Sequence, residues 1–202
     1  MVRRRRTRRA GYHHGRLREA VLEEAAALVD EAGPEGLGLR ELGRRIGVSH
    51  AAIHHHFPAV DGLAAALTAS WFVDLDRAMA AAVEDLPPAR ALDRFRALGV
   101  GYVHYAALHP HRYRMLFRPP NGLAPEADAS FRRVLEAVVA CAPHASRPVD
   151  PMTTTLLAWS AMHGLAMLWI DGALRDRLDP GGPEGLARKI TALISQLLAG
   201  DA

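Results

Sequence analysis

No stretch of this chain alternates polar residues with apolar, β-branched ones, and none forms a hairpin built on an Asn-Gly turn. Alanine, leucine, arginine and glutamate recur instead at intervals of three and four, the period of a helix. The expected fold is therefore all-α. Glycine and proline divide it into segments. A first helix begins near Gly15, carries Leu17, Val21, Leu28 and Ala32 on one stripe, and closes at Gly33-Pro34. Short helices are expected at Leu39–Ile46, ended by Gly47, and at Ala51–Phe57, ended by Pro58. Longer ones follow from about Val60 to Leu86, before Pro87-Pro88, and over Ala89–Leu108. Arg112–Arg118, Glu126–Ala142, an apolar helix after Pro151 running to about Leu178, and Glu184–Ala199 complete a set of about nine, with no internal repeat.

A length of 202 residues suits one large domain or a standard domain with a small one attached. Half the residues are hydrophobic and 23% charged, which excludes wholesale disorder and collagen-like repeats. The single cysteine, Cys141, rules out an intramolecular disulfide and a thiolate metal cluster, and fits a reducing cytoplasm. No apolar run follows the basic N-terminus, so a secretory signal is not expected. Met152–Ile170 holds no Asp, Glu, Lys or Arg and is long enough for a membrane span. Thr153, Thr154, Thr155, Ser160, His163 and Gly164 interrupt it, and no second span accompanies it. Burial in a bundle or an interface is the expectation, with no membrane partner.

Charge is unevenly spread. Residues 1–60 hold eleven arginines against seven acids, while the rest hold fourteen basic residues against fifteen acids. Arg3, Arg4, Arg5 and Arg6 belong to a run, RRRRTRR, that repels itself and is expected to be a disordered arm over residues 1–10. Two readings of that arm stand side by side: a contact with DNA phosphates or an A·T-rich minor groove, and a solvated tail.

The segment from Leu39 to Phe57 is the most informative. LRELGRRIG turns Leu39, Leu42 and Ile46 inward and leaves Arg40, Arg44 and Arg45 on the other sides. Gly47-Val48-Ser49 then turns the chain: Gly47 supplies an unusual backbone conformation, Val48 plugs the core and Ser49 caps the next helix. In HAAIHHHF, Ile53 and Phe57 face inward, while Ala51 and Ala52 are small enough for close approach to another surface. This is helix-turn-helix geometry, in which the second helix enters a major groove and its first residues meet base edges. Arg40, Arg44, Arg45, Ser49, His50, Ala51, Ala52, His54 and His55 are the expected DNA contacts, together with the arm.

The block GYHHGRLREAVLEEAAALVDEAGPEGLGLRELGRRIGVSHAAIHHHFPAVDGLAAAL resembles the N-terminal domain of TetR-family regulators. The Gly-Val-Ser turn, the His-Phe-Pro ending and Leu63 carry most of that resemblance, which covers about residues 11–70. Further on, Trp159-Ser-Ala-Met-His163-Gly164 is similar to the signature of the WHG type of C-terminal domain in that family. The chain departs from the pattern at His54, where Tyr is usual, at Val60, where Lys is usual, and at Gly38, where Thr is usual. The first two usual residues contact phosphate, and the third caps the second helix and can bond the DNA backbone. The resemblance implies a helix-turn-helix domain over 11–58, an effector-binding and dimerisation domain over 59–202, and a cytoplasmic homodimer.

Consecutive helical residues point about 100° apart, so His54, His55 and His56 cannot converge on one ion, and no metal is expected. His56 sits nearer the Ile53 side. Imidazole titrates near pH 6.5 and phosphate favours its charged form, so operator affinity is expected to rise as pH falls from about 8 to about 6. His109 and His111 suit loop hydrogen bonding. His163 is either a buried, hydrogen-bonded residue or a polar hook in an apolar pocket.

After residue 60 no Ser–His–Asp set, phosphate loop or inward carboxylate pair emerges, so no enzyme and no cofactor are expected. Large adaptable side chains do recur: Trp71, Leu75, Phe95, Tyr102, Tyr105, Met115, Phe117, Trp159, Met162 and Met167, with His163 among them. They form either an ordinary core or the wall of a pocket for a small apolar effector. Leu165, Leu168 and Trp169 with Ile190, Leu193, Ile194 and Leu197 would supply a four-helix dimer interface, helices that the family uses in this way. The resulting expectation is a repressor of a two-fold-symmetric operator on double-stranded DNA, released by the effector. Its rivals are a non-specific architectural binder using the arginine arm, a helical enzyme using His163 or His104, and an adaptor binding a protein through residues 110–150.

Overall fold

The structure is a computed structural model and describes residues 14–117, 124–145, 148–174 and 181–199. Nine α-helices and no strand occur among them: α1 (His14–Ala32), α2 (Leu39–Ile46), α3 (His50–His56), α4 (Val60–Ala81), α5 (Ala91–Leu108), α6 (Pro110–Leu116), α7 (Ala127–Cys141), α8 (Pro151–Ile170) and α9 (Gly182–Leu198). The chain divides into two compact units, Met1–Leu63 and Ala64–Ala202.

In the first unit, α1 buries Leu17, Val21, Ala25, Leu28 and Val29, a stripe stepped by three and four. Ala32 is exposed rather than part of that stripe, and the chain turns away at Gly33, whose φ of 79° side-chain-bearing residues rarely adopt. Beneath α1, α2 contributes Leu39 and Leu42, and α3 contributes Ile53. Ile46 and Val48 are only half-buried. The tight crossing instead belongs to Gly43, where an added Cβ would stand 3.2 Å from the Val48 carbonyl oxygen. Gly47 ends α2 at φ 79°, a region costly for other residues, and its N–H returns to Gly43 O at 2.9 Å. Ser49 then starts α3 by accepting a hydrogen bond from the Ala52 N–H at 3.2 Å, which places the start at His50 rather than Ala51. Ile53 has no exposed surface and Phe57 is buried with the Arg18 guanidinium 5.4 Å from its ring centroid. Truncating Ile53 to Ala would cost about 2–5 kcal/mol, a large part of a small unit's stability.

In the second unit α5 is central, packed against α7, α8 and α9. Ala91, Phe95, Val138, Cys141, Ala158, Ile194 and Leu198 make one continuous core between these helices. Burial pushes the Cys141 thiol up to about 11, so it behaves as a small apolar side chain.

Two helices are shorter than their apolar runs imply. α4 stops at Ala81 rather than Leu86: the chain tightens into three-residue hydrogen bonds from Val83 to Ala80 and Glu84 to Ala81. The Arg94 guanidinium donates to the freed carbonyls of Val83 (2.8 Å) and Leu86, supplying the cap that the helix end lacks. α8 is capped by Asp150, whose carboxylate accepts from Thr153 N at 2.7 Å, and ends at Ile170 rather than near Leu178. Its end is fixed by Gly172 at φ 79° and by Arg114, which donates to the Ile170 carbonyl at 3.2 Å and to Asp171 Oδ1 at 2.7 Å. No helix among the described residues is long and apolar enough to cross a membrane.

Candidate nucleic-acid interface and ligand cavity

The first unit presents the outer face of α3. Ser49, His50, Ala51, His54 and His55 are exposed and Ala52 half-exposed, while Ile53 and Phe57 hold the helix from behind. The His50 and His54 rings lie 5.9 Å apart between centroids, one helical turn along the same edge. His56 is half-buried, with its ring edge-on to His55. No group of three His, Cys, Asp or Glu among the described residues is placed to hold a metal ion.

The three arginines of α2 differ in their engagements. Arg40 is exposed. Arg44 is paired at 2.5 Å with Glu41, three residues back, and remains largely exposed. Arg45 reaches three carboxylates: Glu31 at 2.8 Å and Glu24 at 3.2 Å on α1, and Glu41 at 3.1 Å on its own helix. The hydrogen bonds from Arg44 and Arg45 hold the Glu41 carboxyl at about 2, well below the ordinary carboxylate range. Arg45 thus ties α1 to α2, a role that spacing alone could not distinguish from a phosphate contact. Arg3, Arg4, Arg5 and Arg6 lie outside the described residues.

The second unit encloses a cavity of about 360 Å³. Phe72 and Met79 of α4, Phe95, Leu98, Gly99 and Tyr102 of α5, and Phe117 form part of its wall. Residues of α7 from Ala127 to Val134, Leu156 to Met162 of α8, and Thr191 of α9 form the rest. Five of the sequence-expected pocket residues line it: Phe95, Tyr102, Phe117, Trp159 and Met162. Trp71, Leu75, Tyr105 and Met115 are buried elsewhere in the unit and Met167 is half-buried; none of these is in the wall. The Tyr105 hydroxyl donates to the Trp71 carbonyl at 3.2 Å, and Arg112 lies over the Trp71 ring.

His163 stands behind the wall. Its Nδ1 lies 2.8 Å from the Tyr113 hydroxyl and 3.2 Å from the Tyr102 hydroxyl. Tyr113 donates to Tyr102 at 2.7 Å, and the Trp159 indole N–H donates to Tyr102 at 3.2 Å. Burial raises both tyrosine hydroxyls above their ordinary titration range and lowers that of His163, so all three are held neutral at physiological pH. Phe117, which lines the cavity, packs edge-on to His163 with centroids 4.6 Å apart. His104 is exposed and pairs with Glu184 at 2.9 Å; neither residue lines the cavity.

Several wall residues lacked a sequence signal, since Phe72, Phe131 and Val134 look like any core side chain. Gly99 did carry one, a glycine inside a helix. A Cβ there would meet Thr191 Cγ2 at 2.5 Å and the Met162 sulfur at 3.2 Å, so α5 and α9 cross at this point beside the cavity.

Of the side chains expected at a dimer interface, Leu165 and Ile194 turn into the core of their own protomer. Leu168 and Leu193 point outward, 49% and 63% exposed, and Trp169 and Ile190 are half-buried or less. The Leu197 side chain lies outside what the structure describes.

A helix-turn-helix in one unit and a helical second unit, among the described residues, have the build of a DNA-binding transcriptional regulator. Comparison with known proteins agrees. Residues 21–67 match the family model of bacterial regulatory proteins of the tetR family, and residues 95–193 match that of the tetracyclin repressor-like C-terminal domain. An uncharacterized HTH-type transcriptional regulator of Mycobacterium tuberculosis is 26% identical over 165 residues, 79% of this chain and 72% of that protein. Among solved structures, a protein of unknown function from Rhodococcus sp. RHA1 is 31% identical with a TM-score of 0.76, over 92% of this chain and 97% of that one. The TetR family transcriptional regulator PfmR from Thermus thermophilus shares the fold at 21% identity and a TM-score of 0.61, over 86% and 96% of the two chains. The chain belongs to the TetR family of transcriptional regulators.

Proposed function

We propose that this chain acts in the cytoplasm as a homodimeric repressor that reads a two-fold-symmetric operator through α3 and lets it go when a small molecule fills the cavity of the second unit. The observation that carries this reading is the outer face of α3: alanines and histidines face outward while Ile53 and Phe57 anchor the helix. Ala51 and Ala52 allow the helix to approach base edges closely, and His50, His54 and His55 supply hydrogen bonds to bases or phosphates. Arg40 and Arg44 serve as phosphate contacts on α2, and the N-terminal arginine run adds further positive charge for the DNA; Arg45 stays with its glutamates.

One head covers only a few base pairs, so two must act together, their reading helices about 34–36 Å apart to match one DNA turn. Leu168 and Leu193 are the outward apolar side chains that a second copy would cover. α4 and α8 both contribute to the cavity wall, and α4 begins in the residues of the reading head. A ligand that prefers one setting of α4 shifts the spacing of the heads, and its differential affinity, about 1–3 kcal/mol in such systems, sets the size of the response.

Selection of bound sequences from a random duplex library tests the reading. The expected product is an inverted repeat with half-site centres about 10 base pairs apart or a multiple of that. Binding with no sequence preference, lost on removal of residues 1–10, would instead point to an architectural role for the arginine arm.

A further inference from the structure

Two helices of the cavity wall are joined by an ion pair. Phe72 and Met79 of α4 line the cavity, and Asp76, four residues after the first and three before the second, shares their face of the helix. Ser130, Phe131 and Val134 of α7 line it as well, and Arg133 lies among them in sequence. The Arg133 guanidinium donates from Nε to Asp76 Oδ1 and from Nη2 to Asp76 Oδ2, each at 2.7 Å. Both carboxylate oxygens are engaged, in the fork geometry that fixes angle as well as distance. The two side chains are half-buried.

The neighbouring charge on α4 behaves differently. Arg77 pairs within its own helix, with Asp74 at 3.2 Å, and is largely exposed, so it joins nothing. The Asp76–Arg133 pair spans 57 residues of chain. Such a pair adds little net stability, because taking its charges out of water offsets most of their attraction. What it supplies is direction: apolar contacts tolerate sliding, whereas a two-pronged bond is either made or broken. Just beyond Asp76, α4 is pressed against α5. A Cβ on Gly101 would stand 3.2 Å from the Ala78 carbonyl oxygen and 3.3 Å from Met79 Cα. That crossing makes a pivot, and the pair beside it sets the angle at which α4 runs from there back to Val60.

Resting on the proposed effector role of this cavity, we infer that Asp76 and Arg133 are positioning residues that clasp α4 to α7 in the operator-binding setting, and that a molecule in the cavity acts by loosening this clasp. An occupant between Phe72 and Met79 on one helix and Phe131 and Val134 on the other presses apart what the pair draws together. Operator and occupant favour opposite states of one bond, so loss of either charge moves their two affinities in opposite directions.

Two titrations of the full-length protein test this: fluorescence anisotropy with a duplex selected from the random library, and fluorescence with Nile red, a neutral apolar dye, as the cavity probe. Asp76→Asn and Arg133→Met are each expected to weaken duplex binding by about threefold or more and to tighten Nile red binding by a similar factor. Combined, they should do no more than either alone, since both break the same bond. Either single variant suffices should the other fail to fold. A pair that merely supports the fold would lower both affinities together. That outcome, or two affinities left unchanged, overturns the clasp while leaving an effector cavity in place. If no form of the protein binds the dye, the effector reading falls and the clasp falls with it.

Discussion

The Arg45 guanidinium lies 2.8 Å from the carboxylate of Glu31, fourteen residues earlier in the chain, and so joins α2 to α1. Its neighbour Arg40 is exposed on the same helix. The two arginines should therefore separate in experiment. Arg45→Ala is expected to lower the thermal midpoint of the protein, because Glu24, Glu31 and Glu41 lose their shared partner. Arg40→Ala should leave the midpoint unchanged, weaken DNA binding, and reduce the slope of log affinity against log salt by about one. Equal effects of both variants on both measurements would show that the division of labour is wrong.

The same cluster sets an acid limit. Glu41 has its carboxyl lowered from 4.5 to about 2, first by its hydrogen bond from Arg44 and then by that from Arg45. A group depressed in the folded state contributes stability above its unfolded value and loses that contribution as pH falls through its folded value. Thermal midpoints followed from about pH 5 to about pH 2 should drop in the unaltered protein, most steeply between 4.5 and about 2. Glu41→Gln should start lower at neutral pH and fall less over that window. Parallel curves would contradict this assignment.

On the proposed reading face His50, His54 and His55 are exposed and offer ring nitrogens to bases or phosphates. Anisotropy titrations of a selected duplex should show weaker binding by the triple change to Ala, with the thermal midpoint unchanged. Unaltered affinity in that variant would remove the three histidines from the interface.

Leu168 and Leu193 make the proposed dimer testable. Each places apolar surface outward, 49% and 63% exposed. Leu168→Glu combined with Leu193→Glu is expected to yield monomers by sedimentation velocity and to abolish cooperative operator binding, with far-UV circular dichroism unchanged. A dimer that persists through both changes would place the interface elsewhere.

Much of this architecture was legible because it is written in local signals. Gly47 at a left-handed turn, Ser49 at an N-cap and the spacing of Ile53 and Phe57 depend on neighbours within a few residues, so the reading helix and its facing could be derived. The ends of α4 and α8 could not, because Arg94 and Arg114 fix them from other helices. For the same reason Arg45 looked like its neighbours, since its partners Glu24 and Glu31 lie on α1. The cavity was half legible. Its aromatic supply was visible in composition, but which rings line space and which fill it depends on how α5 packs against α7, α8 and α9. Trp71 and Phe95 are equally buried aromatic residues, and only Phe95 faces the void. The side chains expected at a dimer interface split likewise: Leu165 and Leu168 are three apart, yet one is core and the other surface.

Selection from random duplexes with the unaltered protein and with an Ala52→Ser, His54→Tyr variant in parallel tests the reading role of α3 most directly. The expected result is an inverted repeat in both cases, with the preferred bases changed at matching positions of the two half-sites and nowhere else. An identical consensus from both proteins would mean that α3 does not read the DNA, and the assignment of this face as the recognition surface would be wrong.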